Sequence, residues 1–506
     1  MIRNKAKVIQ LKEQDNVAVA LETLPVNTHL DGYDLVCREE IPKAHKVSIH
    51  SIRHHEPVRK FNQVIGFASR LIEAGEHVHL HNTEMGDVGR DYDIGQGATK
   101  GGKKESASFE GVVRKNGKVG TRNFVAILAT VSCSSSVARF IADAFRGPSI
   151  AGYPNVDGVV SFGHGRGCST VTGGEGLVFL QRVLAGYARH PNLAGVLILG
   201  LGCEVNEVDC LMANMHLEED ISMRTLNIQK AGGTGASVER GVRIVRELLT
   251  HANGVRRSAV PLSHLAVGLE CGGSDAFSGI TANPALGVAV DLLVEHGATA
   301  ILSETPEIYG AEHLLTRRAA TREVGEKLLR RIRWWENYTR RMGGEINNNP
   351  TPGNKAGGLT TILEKSLGAV AKAGTSNLME VYEYAEPVTA KGLVFMDTPG
   401  NDPVSVAGMV AGGANLLCFT TGRGSVCGFT PVPTLKLASN TDMYRHMAED
   451  MDVNCGTILD GETSVREVGE QIFRLILNTA SGKRTKSERL GLWEGDFVPW
   501  EIGPVL

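Results

Sequence analysis

The hydrophobic pattern changes character near residue 108. Before it, short apolar runs of three to five residues alternate with turns: 16–20, 46–49 and 77–81 read as strands, punctuated by Asp31-Gly32 and Ala74-Gly75. This predicts a small all-β unit over residues 1–85. Residues 86–107 lose their apolar positions, and glycines at 86, 89, 95, 97, 101 and 102 sit among Lys, Asp, Ser and Thr, the composition of a flexible linker. From Phe109 onward, near-continuous apolar runs recur at 124–131, 158–162, 195–199, 264–268, 299–302, 392–395 and 415–419. Each ends in a cluster of Gly, Ser, Thr or Cys, and helical segments intervene. Strands that are apolar on both faces and alternate with helices predict parallel sheets covered on two sides. We read two Rossmann-like α/β subdomains, 108–255 and 256–506.

In such sheets ligands bind beyond the carboxyl ends of the strands. The chemically unusual residues fall repeatedly at those ends, so the pattern points to an enzyme. Composition narrows the classes further. The 506 residues carry 53 Lys plus Arg against 56 Asp plus Glu, a balance that argues against a nucleic-acid or membrane-surface binder. No apolar run approaches bilayer length and the N-terminus lacks the core of a signal peptide. Nine cysteines in so long a chain are too few for a disulfide scaffold. A soluble, cytoplasmic chain with reduced thiols is expected, with a homo-oligomer among the possible assemblies.

Three constellations carry chemistry. His77, His79 and His81 alternate, so a strand would project all three imidazoles from one face, where they can share a metal; three surface histidines are the plainer alternative. His45, just before a strand, is a weaker candidate. Cys168, Cys203 and Cys271, with Cys133, each close a strand and could ligate iron, zinc or a cluster. None has CxxC spacing, and free cysteine often serves as a small buried hydrophobe. His164 and Glu204 beside them are candidates for acid/base work or for holding their turns. Arg122, Lys355 and Arg423 lie in loops of small residues able to cradle an anion. There is no P-loop and no dinucleotide fingerprint, so no nucleotide cofactor is expected.

These strings together resemble the altronate/galactarate dehydratase family. The resemblance rests on 15–20, 44–47, 65–68 and 77–82 for a SAF-type β domain. For the large region it rests on 120–123, 164–168, 201–204, 271–279, 281–284, 352–355, 419–424 and 450–454. His77/His79/His81 and 395–400 look like the altronate side. A related two-subunit sulfo-lyase keeps the histidine domain as a separate chain. The resemblance implies loss of water from a hexonate, most simply D-altronate to 2-dehydro-3-deoxy-D-gluconate, with galactarate as the nearest alternative. A non-catalytic sugar-acid sensor on the same scaffold is the alternative of another class. The C2 proton beside a carboxylate is weakly acidic, so its removal needs strong electrostatic stabilisation, which a divalent cation supplies. The resemblance favours Fe2+, with an iron–sulfur cluster on Cys168, Cys203 and Cys271 as the rival. It makes the histidine strand the first choice for the metal, and Arg122, Lys355, Arg423 and Lys436 the candidates for the substrate anion. His45, His164 and Glu204 form the short list for the base.

Overall fold

A computed structural model describes residues 3–5, 7–89, 92–99, 102, 107–492 and 496–503. The N-terminal residues form antiparallel β structure, as expected for a SAF-type unit. Its main sheet has Val17–Ala20 beside Lys46–Ser48, and Lys46–Ser48 beside His77–Val78. A second sheet contains Pro57–Lys60 and Gln63–Ala68. The alternation read over 77–81 is only partly a strand. After Val78 the Asn82 side chain captures the chain: its amide donates to the His77 carbonyl (2.8 Å) and its oxygen accepts from the His79 N–H (3.0 Å). An Asn that satisfies nearby backbone groups competes with the sheet ladder, and the strand stops at Val78.

The two parallel-sheet units expected from the apolar runs are both present. The first has four parallel strands in the order Gly158–Phe162, Phe124–Ala129, Leu193–Gly200, Met223–Asn227. The second has seven, all parallel, with Ala266–Cys271 at its centre between Thr299–Leu302 and Leu416–Thr421. All eight residues of Leu193–Gly200 are buried, and so are all six of Leu416–Thr421, as strands covered on both faces must be. The chain runs from Ala266–Cys271 to Thr299–Leu302 on one side, but later crosses to Leu416–Thr421 on the other. Their carboxyl ends therefore flank a topological switch point, the place where open α/β sheets bind ligands. Between the two units, Ser108–Val113 pairs antiparallel with Arg257–Pro261.

The β unit is not a loosely tethered bead. Ile52, Val58, Ile65, Ile72 and Val78 share one apolar cluster with Leu367, Val370 and the large sheet. The described part of 86–107 lies along the C-terminal unit, with Tyr92 donating to Glu312 (2.6 Å) and the Thr99 N–H to Asn377 (3.0 Å). No helix among the described residues is long and apolar enough to cross a membrane.

Candidate active site

Antiparallel pairing of Val47 with His77 sets His45 across from the histidine turn. The result is a group of three imidazoles, His45, His77 and His79, whose nearest ring nitrogens all lie within 4.8 Å of one another. The His45 Nδ1 is 2.9 Å from the His77 Nε2, and the His45 and His79 ring centroids are 4.6 Å apart. His81 is exposed and lies outside this group, with its ring 5.3 Å from that of His77. The strand-face expectation of His77, His79 and His81 thus becomes His45, His77 and His79, because the chain turns before His81 can align.

Burial, reinforced by the neighbouring imidazoles, pulls His77 down to about 3; burial, with Lys46 behind it, does the same to His79. Neutral imidazoles are what metal ligation requires. The buried His79 Nδ1 has no hydrogen-bond partner among the described residues. A buried, unpartnered ring nitrogen close to two further imidazoles is a donor set suited to a divalent transition metal.

Behind the histidines is a buried charge triad. Lys46 and Lys60, both from the β unit, each pair at 2.9 Å with Glu364, which lies on helix Ile362–Ala371 of the C-terminal unit. The Thr360 N–H and hydroxyl also donate to Glu364. Burial lowers Lys46 to about 8 despite the carboxylate, and Glu364 lies far below the usual carboxylate range because its two lysines outweigh its burial. One carboxylate facing two ammonium groups leaves a net positive charge next to the imidazoles.

The histidines meet the C-terminal unit at the loop after Pro352–Ala356. The His45 Nε2 is 3.3 Å from the Ala356 carbonyl, and Lys46 donates to the Gly358 carbonyl at 2.6 Å. Gly358 has φ +94°, and a Cβ there would lie 2.3 Å from the Ala44 carbonyl oxygen, so only glycine permits this approach. Lys355 is half-buried on the same short helix. The loop continues into the carboxyl edge of the large sheet: the Ala276 N–H donates to Gly357 (2.9 Å), and Gly422 packs on Asp275. Arg423 follows, exposed, with its N–H on the Gly273 carbonyl (2.8 Å). His45, Lys355 and Arg423 therefore belong to one continuous run of loops.

The other sequence candidates make their contacts elsewhere. All five guanidinium donors of Arg122 are engaged, by Glu488 and by the carbonyls of Thr121, Thr479 and Lys483. It is a structural tie with no donor left for a substrate. Lys436 is buried in mid-strand, donating to the Ser425 carbonyl (3.1 Å) beside Asp450 (3.7 Å). His164 spends both ring nitrogens, on the Ala129 carbonyl (3.0 Å) and the Arg166 N–H (3.1 Å), and burial pulls it down to about 4. Glu204 closes its own loop: it accepts from the N–H groups of Leu201, Gly202 and Cys203 and from the Thr130 hydroxyl. Burial raises its pKa, but these bonds outweigh that and the net shift is downward. The cysteine alternative does not assemble: Cys168 and Cys203 are exposed on the four-stranded unit, whereas Cys271 is buried in the seven-stranded sheet. Sequence reading missed Glu364, whose only signal is its place at the start of a helix.

Comparisons with known proteins identify the family of each part of the chain. Residues 6–86 match the altronate/galactarate dehydratase SAF domain, and residues 111–253 the second domain of D-galactarate dehydratase/altronate hydrolase. Residues 262–505 match the C-terminal domain of D-galactarate/altronate dehydratase. The chain is 35% identical to the altronate dehydratase of Bacillus subtilis over 95% of its own length and 96% of that protein's. It is 36% identical to the galactarate dehydratase (L-threo-forming) of Escherichia coli, covering 96% and 95%. The (2R)-sulfolactate sulfo-lyase subunit beta of Chromohalobacter salexigens matches at 33% over 76% of this chain and 95% of that one. The matches define a carbon–oxygen lyase of the hydro-lyase class, acting on a sugar acid. The chain belongs to the altronate/galactarate dehydratase family.

Proposed function

We propose that this chain dehydrates D-altronate to 2-dehydro-3-deoxy-D-gluconate with the help of one divalent metal, Fe2+ by preference. The observation that carries the reading is the set of three neutral imidazoles within 4.8 Å, presented by the β unit to the loops of the C-terminal unit. His45, His77 and His79 would hold the ion. When bound, it would act as a Lewis acid toward the substrate carboxylate and the adjacent hydroxyl. Lys355 and Arg423, on the loops that meet His45, are suited to anchor the carboxylate, Arg423 with a planar fork that can bind it at two points. The net charge of the Lys46–Glu364–Lys60 triad disfavours protonation of the imidazoles, keeping their lone pairs free for the metal. In the reaction a base takes the C2 proton, the C2–H electron pair becomes the C2–C3 double bond, and the C3 hydroxyl takes a proton from an acid and leaves with the C3–O electron pair as water. The enol then tautomerises to the 2-oxo acid.

The division of labour in this reading follows a chain split into a β unit (1–85), an α/β unit (108–255) and a C-terminal α/β unit (256–506). Galactarate is the second substrate reading, because the identities to the altronate and galactarate enzymes are nearly equal. Turnover of the two acids side by side, on metal-stripped protein reconstituted with Fe2+, tests both. Turnover of altronate far above galactarate supports the first reading, the reverse supports the second, and turnover of neither sinks both.

A further inference from the structure

The fold sorts the cysteines by surroundings. Cys37, Cys271, Cys418 and Cys455 are buried and Cys427 is half-buried, whereas Cys133, Cys168, Cys203 and Cys210 are exposed. All four exposed thiols belong to the four-stranded unit. Free cysteine is ordinarily among the most buried of residues, so packing does not account for these. Three of them also share one edge. Gly158–Phe162, Phe124–Ala129 and Leu193–Gly200 are adjacent parallel strands whose carboxyl ends are level, with Leu128 opposite Phe162 and Ala129 opposite Leu199. Cys133, Cys168 and Cys203 stand on the three loops that leave those ends.

The three loops are tied to one another. The Ser132 N–H donates to the Arg166 carbonyl (2.9 Å), the Val205 N–H to the carbonyl of Cys168 itself (3.2 Å), and the Asn206 N–H to that of Gly167 (3.1 Å). The Asn206 side chain donates to the Thr130 carbonyl (3.0 Å). Glu204 fixes the third loop, holding the N–H groups of Leu201, Gly202 and Cys203 against the Thr130 hydroxyl. Gly167 has φ +102°, and a Cβ there would lie 2.3 Å from the Thr130 carbonyl oxygen, so only glycine lets the Cys168 loop come this close. The edge also favours a negatively charged group. Helix Ser135–Asp143 starts two residues after Cys133, with no acidic residue in its first turn and no side-chain cap from Ser134, which leaves its positive end uncompensated. The Gln229 amide donates to the Cys203 Sγ (3.4 Å), a bond of the kind that supports a ligating sulfur.

We propose that Cys133, Cys168 and Cys203 hold a [4Fe–4S] cluster at the carboxyl edge of the four-stranded sheet, the edge at which parallel sheets bind ligands. Thiolates are soft ligands that select such clusters over hard ions. One thiolate from each loop serves three of the irons, and the remaining iron is left to water or a small oxygen ligand. Cys271, which also closes a strand, is buried in the other sheet, and Cys133 takes its place in the set. The cluster does not depend on the histidine reading, since it shares no residue with His45, His77 and His79.

The test is reconstitution of the full chain with ferrous iron and sulfide under anoxic conditions, followed by desalting and assay of bound iron, zinc and acid-labile sulfide. Sulfide reports on the cysteines alone, because an ion held by the histidines brings none. The unaltered chain should retain about four sulfides and, once reduced with dithionite, show the electron paramagnetic resonance of a reduced cluster. Cys133→Ser, Cys168→Ser and Cys203→Ser should each lose the sulfide and the signal with circular dichroism unchanged. His77→Ala/His79→Ala should keep both, so failure of the histidine reading is seen separately, as iron beyond the cluster's share persisting in that variant. Alkylation with N-ethylmaleimide, mapped by mass spectrometry, checks the same point without a substitution. Cys133, Cys168 and Cys203 should all react in the metal-free chain and be protected together on loading, while Cys210 stays reactive. No retained sulfide in the unaltered chain, full sulfide in any one of the three serine variants, or zinc in place of sulfide as the metal those variants lose would overturn the proposal.

Discussion

Replacing Glu364 by Gln would remove one negative charge and leave a side chain of the same shape. Gln can still accept from the Thr360 N–H, so helix Ile362–Ala371 keeps its start. What is lost is the counter-ion of Lys46 and Lys60, whose side chains are 0% and 2% exposed. Removing one partner from a buried ion pair typically costs about 3–5 kcal/mol. Because the triad spans two units, the loss should appear as opening of the interface between them. Hydrogen–deuterium exchange of peptides covering 46–48, 57–60 and 362–371 should report protection falling by roughly two to four orders of magnitude. Replacing the whole triad with Met, Met and Leu should restore most of it, since apolar substitutes of similar volume are often neutral or better. A change below about 1 kcal/mol in Glu364→Gln would refute the view that this triad holds the β unit in place.

His77→Ala and His79→Ala should each lower kcat/KM by on the order of a thousandfold, since removing Lewis-acid stabilisation worth several kcal/mol acts tenfold per 1.36 kcal/mol; near-normal turnover with unchanged metal content would dismiss the site. Metal-free protein should lose stability as pH falls below about 6.5. There the unfolded chain protonates His77 and His79, whereas the folded chain resists until about 3, so the unfolded state binds more protons throughout that window. Urea denaturation at pH 7 and pH 5 should show this slope, and His77→Ala/His79→Ala should flatten it. Arg423→Met should raise KM with little effect on melting, and Arg122→Met should do the reverse, lowering melting sharply because it strands Glu488 and three carbonyls.

The parts of the fold that rest on local pattern were legible in the chain. Runs such as 124–129 and 416–419 are apolar at every position, and only a two-sided parallel strand or a much longer helix accommodates that. The histidine cluster was legible in kind but not in membership. Period-two spacing from His77 to His81 suggests a single strand face, yet one asparagine three residues beyond His79 ends the strand by hydrogen bonding. His45 joins through a pairing over thirty residues away, which no local window contains. Arg122 and Glu204 resemble binding residues because they are charged groups in glycine-rich loops. Their partners, at 488 and in the Glu204 turn itself, decide otherwise.

The antiparallel pair Ser108–Val113 and Arg257–Pro261 has a further consequence for how this chain can be rebuilt. Val112 stands opposite Arg257, so the polypeptide enters and leaves the four-stranded unit through the same doorway. Topologically that unit is an insertion, as if threaded into a hairpin that would otherwise close with a short turn. A graft at this doorway could exchange the inserted body for another without rerouting any strand of the seven-stranded sheet. The histidines and their charge triad lie entirely outside the loop so enclosed. Arg122, which ties the inserted body to Glu488, marks the seam such a graft would have to reseal.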